Sequence, residues 1–298
     1  MIKNLHFLLG VVLLGLVSCS DEDPTPVTPA DVIVINEGNF SSGDGTFSTY
    51  NTATEDVSLS VFAAANGFPI AATIQNVTTY NDKLYAVTNA GDKVEVINSE
   101  TFESEALINS GFQNPYSFAA IDNKAYVTNW GSLNSETYAW EGSFISVIDL
   151  TSNTVMDSIK LDVQPQHVLA YNGRFYVSNV GGSTISVYDP ATNGVIETIE
   201  VSFGPDKMVV DVNDDIWVMC TSGALVKIDG ETNEVELTIS EINGSGYNEK
   251  MVISEAGDVI YYVGTSAWPD ATTFVYELAI TETAAPESEL ISGEHFYG

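Results

Sequence analysis

The chain has 298 residues, with nine Lys and Arg against 41 Asp and Glu, a formal net charge of −32 at neutral pH. That balance excludes nucleic acid as a partner, because neutralising phosphates takes a basic face that nine scattered cations cannot build. With 44% hydrophobic and 10% aromatic residues the chain can still bury a core, and its abundant Thr, Ser, Asn, Gly and Val favour short strands and tight turns, the make-up of an all-β protein.

At the N-terminus Lys3 and His6 precede an apolar run from Phe7 to Val17. It is too short to span a bilayer and has the layout of a secretory signal. The run ends Leu16-Val17-Ser18-Cys19, which resembles the lipobox of bacterial lipoproteins. The resemblance implies a signal peptide over residues 1–18 and Cys19 as the lipid-bearing mature N-terminus, so that the membrane is met through a lipid anchor only. Residues 19–30 follow with Ser20-Asp21-Glu22-Asp23 and then Pro24, Pro26 and Pro29, an extended tether. The acidic run resembles the surface-export signal of some Gram-negative lipoproteins. It implies an outer-membrane protein facing the cell exterior, with the periplasmic side as the alternative.

From residue 31 to 298 the sequence repeats a unit of apolar strand, Asn-x-Gly, apolar strand. The copies are Val34-Ile35-Asn36-Glu37-Gly38, Val87-Thr88-Asn89-Ala90-Gly91, Val127-Thr128-Asn129-Trp130-Gly131 and Val177-Ser178-Asn179-Val180-Gly181, followed by degenerate ones at Cys220 and Thr265. After each anchor comes a second alternating strand, as in Val94 to Ile97 or Ile145 to Ile148. Three of these end in Asp149, Asp189 and Asp229, each followed four residues later by Asn153, Asn193 and Asn233. That spacing suits a tight turn in which short polar side chains bond the local backbone. A leading strand and an exit strand complete four strands A to D per unit. Twofold alternation excludes helical repeats, and four antiparallel strands at a period of about 40–50 residues make a β-propeller blade.

The strings Tyr126-Val127-Thr128-Asn129 and Tyr176-Val177-Ser178-Asn179 resemble the YVTN family of propeller repeats. The resemblance implies fold, with Tyr and Val packing between blades and Asn and Gly forming the B–C turn, and it implies no chemistry. The first unit lacks strand A, where the tether lies. A last segment, Leu290 to Tyr297, reads as another strand A that ends at Gly298. The expected count is therefore seven blades in the full protein with the last one truncated here, the alternative being a closed six-bladed ring.

Strand order puts the B–C hairpins and the D–A connections on one face of the disk, where loops carry function. Two B–C hairpins are enlarged: Ser132 to Gly142, with Tyr138 and Trp140 beside Trp130, and Ser266 to Thr272, with Trp268. Exposed aromatics suit large planar ligands or sugars, so Trp130, Tyr138, Trp140 and Trp268 are candidate ligand-binding residues. Near the axis the D–A connections add Tyr116, Gln166, His167 and Lys207, alongside Gln75, Asn76, Asn114, Asp206, Glu249 and Lys250. The alternative for all of these is packing or strand capping. Past the signal segment only His167 and His295 remain, and no triad or metal-ligand spacing is present. No enzyme and no resident cofactor or metal are expected, the one candidate being a Ca²⁺ held by Asp206, Glu249 and Glu294. Cys220 reads as a buried, inert thiol.

Val34 to Phe40, the lipobox, and Lys83-Leu84-Tyr85 leading into Lys93 to Ile97 together resemble a narrower group. These are surface lipoprotein propellers that capture vitamin B12 for a TonB-dependent outer-membrane transporter. The resemblance implies a non-enzymatic binder of a nutrient, with cobalamin as the candidate ligand and such a transporter as the partner. A cell-surface interaction scaffold without a small ligand and a lactonase-like propeller hydrolase are the competing expectations.

Overall fold

The computed structural model describes residues 32–39, 43–70, 73–242, 250–265 and 272–294. Cys19, the signal segment and the tether lie outside them. Besides one two-stranded hairpin, six antiparallel sheets succeed one another along the described residues, and five of them have four strands in the order A-B-C-D. In the third sheet these are Pro115–Ile121, Lys124–Asn129, Phe144–Asp149 and Thr154–Lys160. The fourth holds Val168–Tyr171, Arg174–Asn179, Thr184–Asp189 and Gly194–Glu200, and the fifth Pro205–Val210, Ile216–Cys220, Ala224–Ile228 and Val235–Ser240. The second runs from Ile74–Tyr80 through Lys83–Thr88 and Lys93–Asn98 to Ser104–Ile108. This is the all-β propeller with four-stranded blades that the repeat required, in its six-bladed form.

The first sheet has three strands, Val32–Asn36, Thr46–Tyr50 and Val57–Ser58. They correspond to strands B, C and D, and no strand A pairs with them among the described residues. The sixth sheet corrects the blade count. Its strands are Met251–Ile253, Val259–Thr265, Thr272–Ala279 and Ile291–Glu294, and the last pairs antiparallel with the third from Val275↔Ile291 to Thr272↔Glu294. The segment read as strand A of a seventh blade is therefore strand D of the sixth. Units three to five join C to D through the Asp-x₃-Asn turn, whereas the sixth uses residues 280–290, and without the turn signal its D strand looks like the start of a new unit. One short helix, Val61–Asn66, also interrupts the all-β pattern. Its Val61 and Phe62 are buried, and Gly67 ends it at φ 74°, a left-handed cap that glycine adopts without strain.

The core consists of apolar layers between neighbouring sheets. Phe47, Leu84 and Ile97 join the first sheet to the second; Val87, Phe118 and Val127 the second to the third; Tyr126, Ile145 and Phe175 the third to the fourth. Ile185, Met208 and Val226 fill the next layer, and Trp217, Leu225 and Tyr262 the one between the fifth and sixth sheets. Burying each such side chain contributes roughly 1.5–3 kcal/mol. Among the described residues no buried apolar cluster joins the sixth sheet to the first.

The repeat residues explain how the layers register. Asp149, Asp189 and Asp229 each accept a backbone N–H two residues on, at 2.8 to 2.9 Å, and Asn153, Asn193 and Asn233 take positive φ as the turn demands. The side chains of Asn193 and Asn233 also reach the preceding blade. The Tyr126 hydroxyl donates to Asn193 Oδ1 at 3.0 Å and the Tyr176 hydroxyl to Asn233 Oδ1 at 2.9 Å. Asn153 Oδ1 is buried without a partner, while Tyr85, the matching tyrosine of the second sheet, stacks on Phe118 at 4.4 Å.

The anchor asparagines do more than form a turn. Asn129 Nδ2 donates across to Ser146 Oγ at 2.9 Å, and Asn179 Nδ2 to Ser186 Oγ at 3.0 Å, tying strand B to strand C. In the second unit the pairing of Lys83 with Asn98 and of Lys124 with Asp149 aligns Thr88, not Asn89, with Asn129.

Candidate functional site

The site begins with irregularities in strand A. Register shifts fall between Ile74 and Asn76, between Pro115 and Phe118, and between Pro205 and Met208. A bulge turns residues out of the ladder and re-aims their side chains. Gln75, Tyr116, Ser117, Asp206 and Lys207 occupy those positions, and all of them line one cavity on the propeller axis.

Strand B of the same or preceding blade holds the irregular backbone in place. The Ser117 N–H donates to Thr128 Oγ1 at 3.1 Å, and the His167 N–H to Ser178 Oγ at 2.9 Å. The Thr128 hydroxyl in turn donates to the Gln166 carbonyl at 2.7 Å. The hydroxyl residue of the YVTN-like string thus positions the axial residues, a role that the repeat pattern, read as packing and turn alone, did not reveal.

The cavity has a volume of about 250 Å³ and draws residues from all six sheets. Glu37 comes from the first sheet, Gln75 and Asn76 from the second, and Tyr116 and Ser117 from the third. Gln166 and His167, Asp206 and Lys207, and Lys250 to Val252 complete the circle. Gln75 Nε2 donates to Glu37 Oε1 at 3.1 Å, and Lys250 Nζ lies 4.0 Å from Glu37 Oε2 across the seam between the sixth and first sheets. Gln166 Nε2 reaches Asp206 Oδ2 at 3.5 Å. The Met208 N–H donates to His167 Nδ1 at 3.3 Å, so the ring proton sits on Nε2. Burial, reinforced by the charge of Lys207, keeps the His167 pKa well below its ordinary value, leaving the imidazole neutral at pH 7. Burial also lowers the Lys207 pKa, with Asp206 opposing the shift and Lys250 adding to it.

An aromatic wall adjoins this cavity. Trp130 stacks on Tyr116 with centroids 4.2 Å apart, meets Trp140 edge-on at 4.9 Å, and donates through Nε1 to Gln166 Oε1 at 3.1 Å. The inserted hairpin pairs Ser132–Leu133 with Trp140–Glu141. Gly131, at φ +84°, lets it fold back, since a Cβ there would lie 2.2 Å from the Glu141 carbonyl oxygen.

The structure therefore brings Tyr116, Gln166, His167 and Lys207 together, with Trp130 and Trp140 beside them. Trp130 is a wall fixed by stacking and by its indole hydrogen bond, rather than a free rim residue. Tyr138 stands apart at the hairpin tip, 80% exposed, and Trp268 lies outside the described residues. Glu37 escaped the sequence reading. Its only signal is that it follows an anchor Asn in the one unit lacking strand A, which leaves its B–C turn at the axis.

Of the three carboxylates considered for Ca²⁺, Asp206 is buried, and Glu249 and the Glu294 side chain lie outside the described residues. No group of three His, Cys, Asp or Glu side chains that could hold a metal occurs among the described residues. Cys220 is buried, and burial followed by the charge of Asp206 pushes its thiol up to about 12.

Residues 31–298 match the family described as a domain of unknown function, DUF5074. No curated protein matches the chain. Among solved structures, a protein of Bacteroides fragilis NCTC 9343 described as a candidate 6-phosphogluconolactonase aligns at 10% identity and TM-score 0.66, over 92% of this chain and 84% of that one. One from Bacteroides uniformis ATCC 8492 with the same description aligns at 11% and 0.63, over 88% and 82%. Kuenenia stuttgartiensis hydrazine synthase aligns at 16% and 0.57, over 70% and 67%. At these identities the likeness is one of fold.

Proposed function

We propose that this chain, which belongs to the DUF5074 family, is a non-enzymatic binding protein that captures a small nutrient on the face bearing the axial cavity. The observation that carries the reading is the convergence of polar residues from six sheets on one cavity beside a Tyr116–Trp130–Trp140 aromatic wall. Polar groups fixed by bulges give orientation, and an adjoining aromatic surface gives apolar contact, the usual division of labour in a ligand site. At about 250 Å³ the cavity is at the small end for ligand pockets. A macrocycle such as cobalamin would lie across the mouth against Trp140 and insert only a substituent. In this proposal Cys19 carries a lipid that holds the propeller on the outer membrane, exposed to the exterior, beside a TonB-dependent transporter that receives the ligand.

Equilibrium dialysis against cyanocobalamin and smaller corrinoid fragments tests the capture step. Trp140→Ala should weaken binding about ten- to a hundredfold, as loss of an aromatic hot spot does, with little change in melting temperature. Binding that is absent, or indifferent to Trp140→Ala, sinks the reading. Labelled fatty acid should enter the wild-type protein and not Cys19→Ala.

A further inference from the structure

The hydrogen-bonding capacity of the axial cavity is unbalanced in a way that names a ligand chemistry. Its carboxylates are engaged, Glu37 by Gln75 and Asp206 by Gln166. Its donors are not. Lys207 Nζ has no acceptor within hydrogen-bond distance and no carboxylate within 4.0 Å among the described residues, and Lys250 Nζ stands 4.0 Å from Glu37, beyond hydrogen-bond reach. His167 uses Nδ1 as an acceptor, leaving Nε2–H available, and Asn76 spends its Oδ1 on the Thr78 hydroxyl and the Phe118 N–H, leaving its amide donors.

Lysine ammonium has three donors and no acceptor. Four side chains with unspent donors therefore line one cavity of about 250 Å³. Charge sharpens the point. Two of only nine cations in a chain of net charge −32 sit here, although exposed cations on such a surface would find carboxylates almost anywhere.

We propose that the axial cavity binds an oxyanion group, carboxylate or phosphate, of a small molecule, with Lys207 as its principal ligand and Lys250, His167 and Asn76 as supporting donors. An oxyanion offers several acceptor lone pairs to donors that lack them, and charge-assisted hydrogen bonds are about twice as strong as neutral ones. The neutral imidazole suits the role, since it donates without adding a third positive charge. Binding would also favour the charged form of Lys207, which burial disfavours. The inference deepens the proposed capture function by naming the chemistry of the part of the ligand that enters the cavity.

Isothermal titration of the full chain with sodium phosphate and, separately, sodium succinate tests it, chloride holding the ionic strength at about 0.15 M, where the Debye length is about 8 Å and the global charge is screened. A saturable heat with at least one probe is expected, and the probe that binds more tightly identifies phosphate or carboxylate as the natural group. Lys207→Gln should weaken that binding at least tenfold and Lys250→Gln by less, while Lys160→Gln, on an exposed strand D, should leave it unchanged. Affinity should fall as pH rises through the lowered Lys207 pKa, because only the ammonium form attracts the anion. Should Lys207→Gln lower the melting temperature, Lys250→Gln and the pH series carry the test. No saturable heat with either probe, or equal affinity in the two cavity variants and the wild type, overturns the proposal. The wild type separates it from the capture reading: oxyanion binding without any corrinoid binding keeps the cavity assignment and discards the corrinoid, whereas corrinoid binding that Trp140→Ala weakens, with no saturable oxyanion binding, discards the cavity assignment alone.

Discussion

The layer between the fifth and sixth sheets and the seam between the sixth and the first are nominally the same junction, yet they are built differently. At the former, Trp217 is wholly buried among Met219, Leu225 and Tyr262, with its indole Nε1 donating to Asp211 Oδ2 at 2.8 Å. At the latter, strand Val32–Asn36 leaves Val34 42% and Ile35 41% exposed, and the Lys250–Glu37 approach spans 4.0 Å. In an architecture where each unit packs mainly on its neighbours, stability is close to a sum of layers. Among the described residues the ring is held by five apolar layers, and its sixth junction is a polar contact that doubles as wall of the axial cavity. Local opening should start there.

The largest expected effect tests the strong side. Trp217→Ala should cost about 3–5 kcal/mol in urea unfolding, through the cavity it leaves and the carboxylate it strands. A loss below about 1 kcal/mol would mean that the layers are not what holds the ring.

Cys220 sharpens the comparison in a variant with Cys19 replaced by Ala. It lies in the layer between the fourth and fifth sheets, and with its thiol pushed up to about 12 it should react with a thiol reagent at pH 8 only at the rate of global unfolding. A Val34→Cys substitution at the seam should react in the folded protein. The unfolded thiol has the ordinary value of 9.0, so the stability Cys220 contributes is present in full below about pH 9 and is lost between there and about pH 12.

A smaller effect is expected from Tyr126→Phe, which removes the hydroxyl donated to Asn193 across two blades and should cost about 1 kcal/mol. Tyr85→Phe should cost nearly nothing, because Asn153 receives no such bond. Equal losses would show that stacking alone matters. The smallest effect belongs to the seam: Val34→Ser should change stability by less than about 0.5 kcal/mol, while amides of Val32–Asn36 exchange faster than those of Ile216–Cys220. Slower exchange at the seam would reverse the comparison.

By itself the sequence determined the blade. Alternation, the Asp149, Asp189 and Asp229 turns and the YVTN-like strings are local, and a hairpin fixes its register from a few neighbouring residues, so four-stranded units were legible before any coordinates. The face that carries the candidate site followed from strand order, which brought Tyr116, Gln166, His167 and Lys207 to attention. The tertiary structure decided what local pattern cannot carry. The sixth unit joins strands C and D through residues 280–290 without the turn motif, so only its pairing with Thr272–Ala279 revealed Ile291–Glu294 as strand D and set the blade number. Trp130 changed from rim to wall because its partners, Tyr116 and Gln166, are 14 and 36 residues distant in sequence. Glu37 and Lys250 are separated by almost the whole propeller and meet only when the ring comes round. Contacts between distant residues are set by the summed packing of intervening blades, and a repeat that specifies each blade alike leaves no mark in the sequence of where the circle meets itself.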